Sequence, residues 1–341
     1  MFLRNFWYTA ACSSELKHEP FPRTILSEKV VMYRKLDGTV AALADRCTHQ
    51  QAPLSTGTLC GDVLRCAYHG FEFDPSGRRV PPRGQEKLVF RARVKTYPVA
   101  ERHGFVWIWM GDPARADEST IPNYWMCSSP QYAGKTIMAH IEADWQLGID
   151  NLLALSRIDL AAPDTDAGLG AAEIPPETRL SENEITVSRF FPNETTPPLF
   201  RRTMEVERVD RSQVARYWPA ANILVKSTAR PAGANNDAHA LVVYTPTLFT
   251  PETESTAFAF AGTWRDFDLE DEQLTETMTG QVLKTIHEAK RIAEHEQCNR
   301  DPNAPATDRA ANGARRIVHR LYEQDADERS AAMAAGGLRF P

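Results

Sequence analysis

Four side chains with the chemistry of metal ligands stand in two short groups near the start of the chain. Cys47-Thr48-His49 is followed, after sixteen intervening residues, by Cys66-Ala67-Tyr68-His69. Two thiolates and two imidazoles suit a single tetrahedral zinc ion. They also suit a 2Fe–2S cluster in which two cysteines bind one iron and two histidines bind the other. The four residue types by themselves leave both kinds of centre open.

The residues that follow each group favour the cluster. The first group runs into a loop that contains Pro53, and the second is followed at once by Gly70. Zinc fingers instead keep each pair of ligands closer to a helix. We therefore predict that a 2Fe–2S cluster is bound by Cys47, His49, Cys66 and His69. The remaining cysteines are expected to be buried or incidental thiols, namely Cys12, Cys60, Cys127 and Cys298.

Short β-strands are predicted on both sides of these groups. The β-rich runs 30–34 and 40–43 flank Asp37-Gly38, a dipeptide typical of a hairpin turn. Further short runs continue to Trp109, and the polar segment 114–122 predicts a linker. Because a single hydrophobic core stops growing at roughly 250–300 residues, we expect two domains. Their predicted bounds are 1–120 and 121–341.

The second predicted domain combines helices with an antiparallel sheet. Apolar residues at helical spacing after Asp144 predict a helix over 144–157, followed by a loop at 161–176. A long helix is predicted to begin at Asp271, and a shorter helix spans 315–322 before a tail, 326–341, that we expect to be loosely ordered. The predicted strands of the sheet are 184–190, 200–209, 215–226, 238–247 and 256–264.

Composition excludes several classes of protein. The 341 residues include 39 Lys and Arg against 45 Asp and Glu, a net charge of −6, which argues against a nucleic-acid partner. No apolar run approaches the roughly 18 residues that cross a bilayer, so no membrane partner is expected. Six cysteines are too few for a disulfide scaffold of this length. With no secretory leader visible at the start of the sequence, we expect a cytoplasmic location.

Several further segments resemble the vanillate O-demethylase branch of the Rieske non-haem iron oxygenases. The resemblance is carried by residues 5–8, 43–47, 52–55, 97–102 and 106–113. The chain departs from the family pattern at Thr48, Gln50, Ala67 and Phe71, where the family usually has Pro, Arg, Pro and Trp, but no cluster ligand is lost. The resemblance implies an α+β fold, with an N-terminal β-rich Rieske domain and a C-terminal helix-grip domain in which an antiparallel sheet surrounds a long helix.

The resemblance also implies a mononuclear Fe(II) in the second domain, held by two histidines and one carboxylate. Asp150-Asn151 match the helical frame of that site. The residues expected to bind are missing, because Ala154 replaces the bridging Asp, Arg157 the first His, Ala162 the second His and Ala289 the carboxylate. A guanidinium has no lone pair for a metal. We therefore expect the mononuclear Fe(II) to be absent.

Two interpretations of Arg157 remain open at this point. Its cation could fill the emptied site beside Asp150 or Asp159, or its side chain could point to solvent at the end of the helix. No histidine lies between His140 and His239 to replace the lost ligands.

The resemblance implies a trimer or stacked trimer in which the cluster of one chain reduces the iron of its neighbour. The first hypothesis is a subunit, not catalytic alone, that takes electrons from a separate reductase or ferredoxin. It would pass them to a paralogous catalytic subunit acting on an aromatic small molecule, in an O- or N-demethylase or hydroxylase. The alternatives are a self-contained monooxygenase with ligands among Asp159, Asp164 and Asp166, and a redox-sensing protein that binds a small molecule.

Overall fold

The computed structural model describes residues 2–81, 92–153, 174–234, 236, 239–299 and 308–336. The chain divides into two compact units. The first unit comprises Asn5–Ile121 with Thr250–Glu254, and the second comprises Met1–Arg4, Pro122–Phe249 and Ser255–Pro341. Within the described ranges, no helix is both long and apolar enough to cross a membrane.

The first unit is built of three small antiparallel sheets. Their strand orders are β1-β10-β9, β2-β3-β4 and β5-β6-β7-β8. The strands are β1 (Phe6–Cys12), β2 (Phe21–Ile25), β3 (Glu28–Arg34), β4 (Val40–Ala44), β5 (Thr58–Cys60), β6 (Val63–Arg65), β7 (Glu72–Phe73), β8 (Arg79–Val80), β9 (Val99–Arg102) and β10 (Phe105–Met110).

The predicted hairpin at Asp37-Gly38 joins β3 to β4, with Arg34 opposite Val40. Gly38 has a φ of +86°, a backbone conformation that glycine adopts without steric cost. Apolar side chains of β3 and β4 point into one core with Cys47, Leu64 and Cys66. The cysteines predicted to bind the cluster therefore belong to the hydrophobic core of this unit.

One seven-stranded antiparallel sheet forms the centre of the second unit, in the order β11-β17-β16-β15-β14-β13-β12. Its strands are β11 (Ala133–Ile141), β12 (Glu177–Leu180), β13 (Ile185–Thr195), β14 (Arg208–Trp218), β15 (Asn222–Pro231), β16 (Leu241–Pro251) and β17 (Ala257–Arg265). Along β13 and β14 buried and more accessible residues alternate, which gives the sheet one inward face.

Within the described part of this unit, four helices accompany the sheet: α1 (Trp145–Leu153), α2 (Pro198–Met204), α3 (Glu272–Asn299) and α4 (Arg309–Gly336). Asp271 accepts a hydrogen bond from the Leu274 N–H and caps α3, as the sequence predicts. Val282 and Ile286 of α3 pack on Ala139 and Ala261 of β11 and β17. The predicted combination of an N-terminal β-rich domain with a long helix on an antiparallel sheet is confirmed.

Three predictions for the second unit are wrong. Residues 200–209 do not form one strand, because Pro198 at the first turn starts α2 and Phe200 packs in the core from that helix. The predicted short helix at 315–322 and the part of the predicted loose tail from 326 to 336 belong to one helix, α4. Residues 337–341 of that tail lie outside the described residues. The predicted strand 215–226 is also interrupted, since a turn separates β14 from β15.

Candidate metal centre

Two loops with the same backbone hydrogen bonds carry the four predicted ligands. The first ligand loop, residues 46–53, follows β4, and the second, residues 66–71, joins β6 to β7. In each loop the cysteine N–H donates to the carbonyl five residues ahead, at Ala52 and Phe71, over 2.9 and 2.8 Å. The cysteine carbonyl accepts in turn from the N–H four residues ahead, at Gln51 and Gly70, both at 3.0 Å.

Each loop is closed by the residue four positions after its cysteine. The backbone of that residue lies in the left-handed region, with a φ of +59° at Gln51 and +68° at Gly70. Glycine adopts this conformation freely, whereas a side chain makes it cost roughly 1 kcal/mol or more. Outside the hydrogen-bonded turn, Asp45 accepts from the Ser55 N–H at 2.7 Å and from the Ser55 hydroxyl at 2.6 Å. This buried carboxylate fixes the first ligand loop to the residues that follow it.

The two cysteines form one pair on the buried side of the loops. Cys47 is 2% exposed and Cys66 is 3% exposed. Burial raises the pKa of the Cys47 thiol, and its hydrogen bond with Cys66 adds to that increase. The backbone N–H groups of His49 and Gln50 donate to the same sulfur and lower its pKa. A negatively charged sulfur at this position therefore has donors already aimed at it.

The two histidines form a second pair on the exposed side. Their Nδ1 atoms face each other at 3.2 Å, and the rings meet edge to face with centroids 4.6 Å apart. Each imidazole also contacts an aromatic ring: His49 stacks on Phe71 at 4.8 Å, and His69 lies 3.9 Å from Tyr68, which is 62% exposed. Neighbouring rings thus hold both imidazoles.

This arrangement fits two metal ions with two protein ligands each. Two nitrogens bound to one tetrahedral ion, with bonds of about 2.1 Å, lie roughly 3.4 Å apart, close to the Nδ1 separation. Zinc bound by all four side chains would require them to converge on one point. Among the described residues, no three His, Cys, Asp or Glu side chains are arranged to hold a single ion. The donor set and its division into pairs suit a 2Fe–2S cluster.

The frame of the second predicted site, Asp150-Asn151, lies on α1. Ala154, Arg157 and Ala162 are outside the described residues, as are Asp159, Asp164 and Asp166. Ala289 is described and is half-buried on α3, on the same stripe as Ile286 and Ala293.

Asp150, one of the two acids considered as a partner for Arg157, is paired with a different arginine. Its Oδ2 accepts hydrogen bonds from Nε of Arg315 in α4, at 2.9 Å, and from Nη2 of the same side chain. Asp150 and Arg315 are 15% and 30% exposed. Beside the pair lies a cavity of about 10 Å³, roughly the volume that one water molecule needs. Asp150, the first residue of the Asp150-Asn151 frame, therefore links α1 to α4.

Sequence reasoning missed a row of polar side chains on α3 that holds the segment between β11 and α1. Lys290 donates to the His140 carbonyl at 2.7 Å. Glu294 and Gln297 accept from the backbone N–H groups of Glu142 and Asp144, at 2.9 and 3.0 Å. The positions 290, 294 and 297 recur at helical spacing, which was the available signal, but their backbone partners lie some 150 residues away in sequence.

Comparison with known proteins was consistent over both units. Residues 6–98 match the Rieske 2Fe-2S domain family, and residues 141–324 match the vanillate O-demethylase oxygenase C-terminal domain family. The iron-sulfur subunit of the toluene-4-sulfonate monooxygenase system of Comamonas testosteroni is 35% identical, with 95% of this chain and 98% of that protein covered.

The vanillate O-demethylase oxygenase subunit of a Pseudomonas species is 31% identical, over 98% of this chain and 99% of the relative. The crystal structure of dicamba monooxygenase bound to 3,6-dichlorosalicylic acid superposes with a TM-score of 0.86 at 30% identity. That match covers 95% of this chain and 99% of the other. The two family matches and the full-length similarities therefore indicate one and the same protein family for both units.

Proposed function

Because the chain belongs to the Rieske oxygenases with a vanillate O-demethylase-type C-terminal domain, we propose that it serves as an electron-transferring subunit beside a catalytic paralogue. Membership of this family makes the chain an oxygenase component of the aromatic O-demethylase type. We further propose that this chain carries the cluster on Cys47, His49, Cys66 and His69 and holds no mononuclear iron of its own.

The observation that carries the proposal is the contrast between the two sites. The four predicted cluster ligands form a buried cysteine pair and an exposed histidine pair. The positions of the iron site instead contain Ala154, Arg157, Ala162 and Ala289. A permanently charged guanidinium and three methyl groups offer no ligand to Fe(II).

Each protein group has a distinct part in this proposal. When bound, the cluster accepts and releases one electron at a time, and its histidine ligands give it a higher potential than an all-cysteine cluster. The buried side of the loops keeps Cys47 and Cys66 away from water. The exposed imidazoles of His49 and His69 face outward, the direction in which an electron would leave toward a neighbouring subunit.

Two kinds of partner follow. A separate reductase or ferredoxin supplies the electrons, as expected for a component of a multi-component system. A paralogous subunit with intact iron ligands receives them within a trimer or stacked trimer. Relatives of this chain are named for toluene-4-sulfonate and vanillate, both small aromatic molecules. We propose a substrate of that class, converted on the paralogue.

Co-expression with a ligand-complete paralogue from the same genome tests the proposal. The paralogue would carry Cys→Ser changes at its own cluster, so that it keeps its iron but cannot receive electrons internally. Native mass spectrometry should then find mixed trimers, and reductase-driven turnover should require this chain. Replacing this chain by its Cys47→Ser variant should remove the turnover while the mixed trimers persist. Trimers of this chain alone that turn over substrate would contradict the proposal.

A further inference from the structure

Phe71 has a charged group on one face of its ring and a predicted cluster ligand on the other. The guanidinium carbon of Arg79 lies 3.5 Å from the ring centre. The imidazole of His49 stacks on the same ring, 4.8 Å between centroids and 24° between planes. Because a guanidinium at 3.5 Å covers one face, the imidazole must occupy the opposite face. The three side chains therefore form a continuous stack.

The backbone that carries this stack also carries the second ligand loop. The Phe71 carbonyl accepts the hydrogen bond from the Cys66 N–H at 2.8 Å. Arg79 lies in β8, where it pairs with Phe73 of β7. His49 belongs to the first ligand loop. The stack thus connects a ligand of one loop to the framework of the other.

We propose that Arg79 is a positioning residue for the cluster and that the Phe71 ring holds its guanidinium beside His49. The stack fixes the plane of the His49 imidazole and places a positive charge near the histidine-bound iron. Reduction adds one electron from the reductase and breaks no bond, so the reduced state is more negative by one charge. A nearby cation stabilises that state more than the oxidised one. This inference rests on the proposed ligation by His49.

The test is a redox titration of three full-length variants, followed by visible absorbance and by electron paramagnetic resonance of the reduced protein. Arg79→Gln should lower the equilibrium constant for reduction about tenfold, which for one electron is 59 mV. Arg79→Lys keeps the charge but loses the flat contact, so its shift should be smaller. Arg78→Gln is the matched control, because that neighbouring arginine is exposed and should leave the potential unchanged.

A double-variant cycle tests whether the Phe71 ring holds the guanidinium in place. If it does, Arg79→Gln should shift the potential less in the Phe71→Leu background than in the wild-type background, whereas equal shifts in the two backgrounds would overturn that role of Phe71. Iron and sulfide are counted in every sample. Wild-type protein without a cluster would remove the proposed function. A full cluster in Arg79→Gln with the wild-type potential would overturn this inference alone.

Discussion

Removing the guanidinium of Arg315 should measurably destabilise the second unit. Arg315→Met keeps much of the side-chain length but leaves Asp150 without its two donors. Asp150 sits at the C-terminal part of α1, within the frame where the family has its iron site, so the pair bears directly on how α1 is held. The variant isolates the charge while changing little apolar volume.

The expected cost can be worked out from exposure. Removing one partner of a fully buried ion pair costs about 3–5 kcal/mol. Arg315 is 30% exposed and Asp150 15%, so water partly screens the pair. We therefore expect roughly 2–3 kcal/mol, between the surface and buried limits. For a unit of 150–250 residues that corresponds to a fall in Tm of roughly 4–12 °C.

Thermal unfolding followed by circular dichroism and calorimetry measures this loss. Arg316→Met is the matched control, since this neighbouring arginine of α4 is exposed. Asp150→Asn/Arg315→Met removes both charges of the pair and should cost at least about 1 kcal/mol less than the sum of the two single variants. The reasoning is refuted if Arg315→Met lowers the Tm no more than Arg316→Met does.

Three further outcomes are expected. Cys47→Ser should abolish the visible cluster absorbance while Cys60→Ser preserves it, and retained absorbance in the first variant would contradict the ligand assignment. Arg157→His/Ala162→His should give no turnover, because the bridging and carboxylate positions remain alanine; activity of that variant would disprove the four-position argument. Burial, followed by the charge of Glu15, raises the pKa of Cys12 to about 12. Since only the thiolate reacts, maleimide at pH 8 should label exposed Cys60 but not the half-buried Cys12 until the protein is unfolded, and rapid labelling of folded Cys12 would contradict its raised pKa.

Local sequence signals predicted both ligand loops and much of the fold. The pairs at 47–49 and 66–69 sit in loops closed by hydrogen bonds within five residues, so their geometry is encoded nearby. The stripe of α3 was equally visible, because buried residues recur every three or four positions. Gly38 similarly marked its turn.

Other features depend on partners far away in sequence. Asp150 and Arg315 are 165 residues apart, and nothing local to either predicts the pair. The wrong strand at 200–209 reflects weight given to apolar alternation over Pro198, which favours a helix start. The extension of α4 to Gly336 agrees with the high helix propensity of the alanines in 326–336, whereas the expectation of a loose tail rested on its position at the end of the sequence.

Counting iron and acid-labile sulfide per chain in anaerobically purified protein tests the central claim most directly. We predict two irons and two sulfides, the content of a 2Fe–2S cluster with no mononuclear site. Three irons with two sulfides would mean that this chain holds a mononuclear iron after all. Our interpretation of Arg157 and the three alanines would then be wrong.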